Sequence, residues 1–315
     1  MTNNVNNTLD ISLNELLPRK SRETFKEYKN YKGNSLFSEA FKECDASTFS
    51  PYAKCSYRCV YCSVEAQGQS KPIFSREELP TEFKKQYDTL AHKRTIIIGT
   101  QSDAYPPEEE HYQLMREVIP VLNELQQSFR IVTKGHLIER DIDLLSGNPL
   151  CDMVMISLLT DDDNILQKYD PGAPLFERRK KSVETLRQAG VKTRISLSPW
   201  VPGVSDIESM MRHFPDVTIS VGALDLDGCL GSEWSSANKV FGDVMSQADI
   251  NRQYLQEFAR LRHHEQLTWN IPPGWIRYRN EKGNPINCFT RLTPDLIQHI
   301  EQNYEHNQIP TVSLR

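Results

Sequence analysis

The feature that most limits what this chain can fold into is an alternation. Short β-branched apolar runs are separated by stretches of helical periodicity, repeated from about residue 46 to residue 222. Strands are expected at Ser47–Tyr52, Arg94–Gly99, Phe129–Thr133, Met153–Leu158, Lys192–Leu197 and Val217–Val221. Helical patterns cover Arg76–Leu90, Glu109–Leu125, Leu137–Leu145, Leu175–Gln188 and Ile207–His213 between and after them. In Glu109–Leu125 the residues Tyr112, Met115, Val118, Ile119, Leu122 and Leu125 recur at helical spacing, and Pro120 predicts a kink. Strand–helix alternation of this kind builds a parallel sheet. Six such units describe an α/β fold, a partial (β/α)6 barrel open on one side. Binding sites on such sheets form at the carboxyl ends of the strands, so the loops that follow them are the place to look.

Residues 1–45 read as an N-terminal extension, 46–222 as the barrel, and 223–315 as a C-terminal cap or substrate region. That last part carries a helical pattern at Ala248–His263 and a rigid aromatic turn from Trp269 to Trp275. No apolar run approaches the ~20 residues needed to cross a bilayer, and the first residues lack the basic and apolar regions of a secretory signal. A net charge of −5 gives no general attraction to phosphate backbones. A soluble, cytoplasmic protein with no membrane and no nucleic-acid partner is expected.

Seven cysteines, an odd number without an export signal, argue against a disulfide framework. Three of them, Cys55, Cys59 and Cys62, are crowded into a loop directly after the first strand. A structural zinc site needs four closed ligands, and no Cys-x2-Cys or His partner motif offers the fourth. A 4Fe–4S cube held by three cysteines leaves one iron open to an exogenous ligand, which is the chemically useful arrangement. A structural zinc or iron–sulfur binding module is the non-enzymatic alternative.

Cys55-x3-Cys59-x2-Cys62, with the aromatic Tyr61 before its third cysteine, resembles the signature of the radical S-adenosylmethionine (SAM) superfamily. The resemblance runs from about Pro51 to Asp206 and is most similar to the spore photoproduct lyase-like branch. It is carried by the order of several segments: Ser102–Glu109, Thr133-Lys134, Arg140–Leu145, Asp170–Pro174 before Arg178, and Pro199–Asp206.

This resemblance implies a 4Fe–4S cluster ligated by Cys55, Cys59 and Cys62, with SAM on the open iron. Reductive cleavage of SAM would yield methionine and a 5′-deoxyadenosyl radical that abstracts a substrate hydrogen, with a flavodoxin- or ferredoxin-type reductant as partner. It further implies that Tyr61 packs near the adenine, Ser102 and Asp103 meet the SAM amino group, Lys134 meets the carboxylate and Ser157 meets the ribose. Lys54 and Arg58 flank the cluster, as stabilising or simply solvated charges. Where spore photoproduct lyase carries a hydrogen-donating cysteine next to the serine after strand two, this chain has Gln101, whose amide N–H is too strong a bond for that task. A small-molecule or peptide substrate is therefore expected, with lyase-like action on a nucleotide or nucleic acid as the alternative. Cys229, after the sixth strand, reads as a radical-relay thiol or a packed loop cysteine; Cys151 reads as core. Asp161–Asp163 reads as a solvated loop and His263-His264 as helix-end surface, while Trp234, Trp269 and Trp275 roof a ring-bearing substrate or close the cap.

Overall fold

The computed structural model describes residues 35–38, 47–62, 69–90, 95–225, 245–272 and 292–303. One eight-stranded sheet runs in sequence order. Its strands are β1 (Phe37–Ser38), β2 (Ser47–Phe49), β3 (Ile96–Ile98), β4 (Phe129–Thr133), β5 (Cys151–Ser157), β6 (Thr193–Trp200), β7 (Ile219–Ala223) and β8 (Leu267–Trp269). β1 lies antiparallel on β2, and the seven strands from β2 to β8 are parallel. Between the strands lie α1 (Leu79–Tyr87), α2 (Glu109–Tyr112), α3 (Leu114–Glu124), α4 (Ile142–Leu145), α5 (Asp163–Tyr169), α6 (Phe176–Gln188) and α7 (Ile207–His213). α8 (Gln247–Leu261) precedes β8, and α9 (Pro294–Asn303) follows it.

Burial follows from the sequence pattern. In β4, Phe129, Ile131 and Thr133 are buried while Arg130 and Val132 are half-buried, the two-residue alternation of a pleated strand. Complete burial of Phe129 or Ile131 stabilises the fold by about 1.5–3 kcal/mol each. In β3 the register sets Ile96 opposite Phe129 and Ile98 opposite Ile131, so the buried residues of neighbouring strands form continuous rows.

All six expected strands are present, and the sheet gains one more at each edge: β1, from the stretch expected as an N-terminal extension, and β8. β8 comes from the segment expected as a cap; its Trp269, expected in an aromatic turn, is a strand residue paired with Val221. Three residues are too few to display a two-residue period.

A second correction concerns the helix expected over Glu109–Leu125. It breaks at Gln113, which takes a left-handed φ of 52°, and not at Pro120, which lies inside α3. The cause is Glu109. Its buried carboxylate accepts the backbone N–H groups of Leu114 and Met115, both at 3.0 Å, and so supplies acceptors for the first turn of α3.

The Asp161–Asp163 run is also more than a solvated loop. Asp162 caps α5 through the amides of Asn164 and Ile165. Asp163 accepts the Phe176 amide at 2.9 Å. Asp161 accepts from Ser209 Oγ at 2.5 Å and lies 3.1 Å from His213 Nε2. His263 and His264 are exposed, as expected.

Candidate active site

A cavity of about 390 Å³ opens where the parallel strands end. Gly99 and Thr100 reach it from the end of β3, Lys134 from β4, Ser157 from β5, Ser196 from β6 and Asn270 from β8. Cys55, Cys59 and Cys62 line the same cavity from the loop after β2. The site therefore lies where a parallel sheet is expected to carry one.

Cys59 is buried, while Cys55 and Cys62 are half-buried, and all three are free thiols. Burial pushes the Cys55 thiol up to about 12, with the Asp103 carboxylate adding to the effect. Burial also raises Cys59 well above its ordinary value, with Asp170 as the next contributor. Neutral thiols are thus favoured before a metal arrives, and ligation would release their protons.

Tyr61 is buried and donates its hydroxyl to Asp170 Oδ1. The Lys134 ammonium sits 5.5 Å above the Tyr61 ring centroid, within cation–π range. Burial opposes the charge on Lys134, but the Cys59 sulfur when ionised and the Asp170 carboxylate outweigh it and raise the pKa overall. Lys134 is therefore a fixed cation facing the cavity.

Asp103 lines the cavity and also braces it. Its carboxylate accepts the Tyr105 amide at 2.9 Å, the Lys134 amide at 2.8 Å and the Thr133 hydroxyl. It thereby joins the loop after β3 to the end of β4. Burial raises the Asp103 pKa, and these hydrogen bonds pull it back only in part.

Ser102 differs from the other expected contacts. Its hydroxyl donates to the Tyr52 carbonyl at 2.8 Å, and it is not among the described residues lining the cavity. Ser157 lines the cavity, and its carbonyl accepts from Arg179 Nη1 at 3.0 Å. Cys229, Trp234 and Trp275 lie outside the described residues. Cys151 is buried at the start of β5, away from the cavity lining.

Three further features shape the site. The first is the arginine after Asp170–Pro174. Arg178 turns outward to Glu139 at 2.5 Å, whereas Arg179 is buried and pairs with Asp170 at 3.0 Å. The detectable signal was periodicity: Arg179 shares the buried face of α6 with Phe176, Val183 and Leu186, an anomalous place for a charge. The second is Gly99. At φ +93°, a Cβ there would lie 2.0 Å from the Val132 carbonyl oxygen, so only glycine permits this close approach at the cavity wall. The third is the Thr100 hydroxyl, a buried oxygen at the cavity without a hydrogen-bond partner.

A family model described as the radical SAM superfamily matches residues 49–214. The chain belongs to the radical SAM superfamily. An uncharacterised protein of Methanocaldococcus jannaschii is 26% identical over 164 residues, which is 50% of this chain and 61% of that protein. The radical SAM Nα-GlyT isomerase of Pseudomonas phage M6 is 26% identical over 172 residues, covering 53% of this chain and 35% of the isomerase. Neither match reaches two thirds of the relative's own length. Among solved structures, Streptococcus suis SuiB bound to its precursor peptide SuiA superposes with a TM-score of 0.51 at 16% identity, over 71% of this chain and 48% of SuiB. Spore photoproduct lyase complexed with a dinucleoside spore photoproduct gives 0.51 at 10% identity, over 70% and 75% of the two chains. Identity this low shows a shared fold.

The residues present fit the cofactors this family uses. Among the described residues, no three His, Cys, Asp or Glu side chains converge as ligands of a single metal ion. A cube instead takes its cysteines on separate irons. The fixed Lys134 cation and the unpartnered Thr100 hydroxyl offer a carboxylate partner and a hydrogen-bonding group beside the three thiols.

Proposed function

We propose that this radical SAM superfamily enzyme cleaves SAM reductively and abstracts a hydrogen from a small molecule or a peptide. One observation carries the reading: three cysteines and a half-buried lysine face one cavity at the carboxyl ends of the strands. When bound, the cluster and SAM supply one electron and a 5′-deoxyadenosyl radical. The chain supplies placement. Cys55, Cys59 and Cys62 hold the cluster, and Lys134 pairs with the SAM carboxylate. Tyr61 packs beside the adenine; Asp103 and Ser157 receive the amino group and the ribose, with Ser102 supporting that wall through Tyr52. The electron comes from a flavodoxin- or ferredoxin-type reductant in the cytoplasm.

Two features support a small molecule or peptide over nucleic acid. Gln101 lines the cavity at the position where the lyase-like branch has its hydrogen-donating thiol. The chain's net charge of −5 gives no field toward phosphates. Deuterium carried from candidate peptides or metabolites into 5′-deoxyadenosine tests the substrate class. Tight, steeply salt-dependent binding of a labelled oligonucleotide would favour a nucleic-acid substrate instead.

A further inference from the structure

We propose that Tyr57 is a positioning residue, the point at which two flanking segments hold the cysteine loop ready for its cluster. The inference rests on the radical SAM reading above and concerns the two segments 102–109 and 169–173, both of which hydrogen-bond to that loop.

Tyr57 lies between Cys55 and Cys59 and is 2% exposed. On one side its hydroxyl donates to the Tyr105 carbonyl at 2.7 Å. On the other its own carbonyl accepts the Gly172 amide at 3.1 Å. Neighbouring loop residues are tied to one or other of these segments, and to Ser70. The Ser56 hydroxyl donates to Glu108 Oε2 at 3.0 Å, and the Ser56 amide donates to Ser70 Oγ at 3.2 Å. The Val60 amide donates to the Tyr169 carbonyl at 2.9 Å, and the Tyr61 hydroxyl donates to Asp170.

Two glycines make the approach close enough. A Cβ on Gly172 would stand 2.5 Å from the Ser56 carbonyl oxygen and 2.9 Å from Tyr57 Cα. A Cβ on Gly135 would stand 2.0 Å from the Tyr105 carbonyl oxygen and 2.8 Å from the Tyr57 hydroxyl. Between the fixed residues, exposed Arg58 adopts a left-handed φ of 53°, a conformation that a non-glycine residue keeps only where its surroundings hold it. The chain thus orders the loop through contacts that involve no metal. A loop already ordered loses little entropy when it takes up a cluster, and its three thiols stay in register.

The test is anaerobic reconstitution of the full chain, comparing wild type with Tyr57→Phe, Gly172→Ala and Gly147→Ala. Gly147 is the control: its φ of +66° makes alanine strained, but nothing lies within 4 Å of the added Cβ. Iron and sulfide per chain are followed with time, with electron paramagnetic resonance of the reduced cluster with and without SAM, and thermal unfolding. Tyr57→Phe keeps the ring and is expected to take up cluster roughly fivefold more slowly, the factor one buried hydrogen bond is worth. Gly172→Ala is expected to be slower still, and in both variants the SAM-induced spectral change is altered. Gly147→Ala is expected to melt earlier yet load and respond to SAM like wild type. Should Gly172→Ala not fold, Tyr57→Phe decides alone. Wild-type loading and an unchanged SAM response in Tyr57→Phe overturn the proposal, as does an equal loss in Gly147→Ala. A wild-type chain that takes up no cluster overturns both this proposal and the radical SAM reading, and is recognised because every variant fails alike.

Discussion

Breaking the ion pair behind Tyr61 should be costly from either side and nearly cost-free to extend to both. Asp170 and Arg179 are 3.0 Å apart with both side chains fully buried. Asp170→Asn leaves the guanidinium in the interior without its anion, a loss of about 3–5 kcal/mol. Arg179→Met strands the carboxylate instead, but Asp170 keeps the Tyr61 hydroxyl and the nearby Lys134 charge. It also removes Arg179 Nη2, a buried donor with no partner. Its cost is therefore expected at the low end, about 3 kcal/mol. With both residues replaced, neither member of the buried pair is left as a lone charge. The double variant should be no less stable than Asp170→Asn alone, a coupling of about 3 kcal/mol. Urea unfolding at neutral pH measures all four corners of the cycle, as midpoint shifts at constant slope. The reasoning is refuted if the two losses simply add to about 6–8 kcal/mol, or if Asp170→Asn lies within about 1 kcal/mol of wild type.

Other positions give separate expectations. Gly99→Ala should destabilise by about 3 kcal/mol or more, because the new Cβ falls 2.0 Å from a β4 carbonyl oxygen at φ +93°; an unchanged melting temperature contradicts this. Lys134→Ala should weaken SAM binding to the loaded protein by about 10–100-fold, the range for a hydrogen bond to a charged group, while iron content stays at the wild-type level; calorimetry on unreduced protein reads the first and metal analysis the second. Asp161 has opposing influences: burial raises its pKa, but hydrogen bonds from Ser209 and His213 prevail and hold it below the ordinary aspartate value. A carboxyl depressed in the folded state contributes stability above its unfolded pKa and loses it as pH falls through the folded one. The stability gap between wild type and Asp161→Asn should thus be full near neutrality and close below about pH 4; a gap that widens in acid would contradict the assignment.

Much of the fold was readable where local pattern and tertiary structure agree. β4 has the expected bounds at Phe129–Thr133 because its alternation is long enough to register. α7, Ile207–His213, likewise matches, its start marked by the Asp206 side chain that accepts the Ser209 amide. β8 was hidden because three residues show no period, and Trp269, three residues before Pro272, looked like part of a turn. The break at Gln113 was hidden because it depends on where a buried carboxylate points, which Pro120 does not report. At the site, the cysteine spacing and Lys134 were legible as chemistry. Arg179 was not, since it reaches the site through Asp170 and the Ser157 carbonyl, contacts between residues 9 and 22 positions apart. Ser102 shows the converse: its place in the chain suggested a ligand contact, while its hydroxyl is engaged with Tyr52.

The central claim is that the three thiols around this cavity present a cluster whose open iron engages SAM. Anaerobic incubation of the cluster-loaded chain with SAM and dithionite, followed by chromatography, tests it directly. The account predicts 5′-deoxyadenosine and methionine in equal amounts, both lost when Cys59 is replaced by alanine. Intact SAM in the presence of a fully loaded, reduced cluster would contradict it.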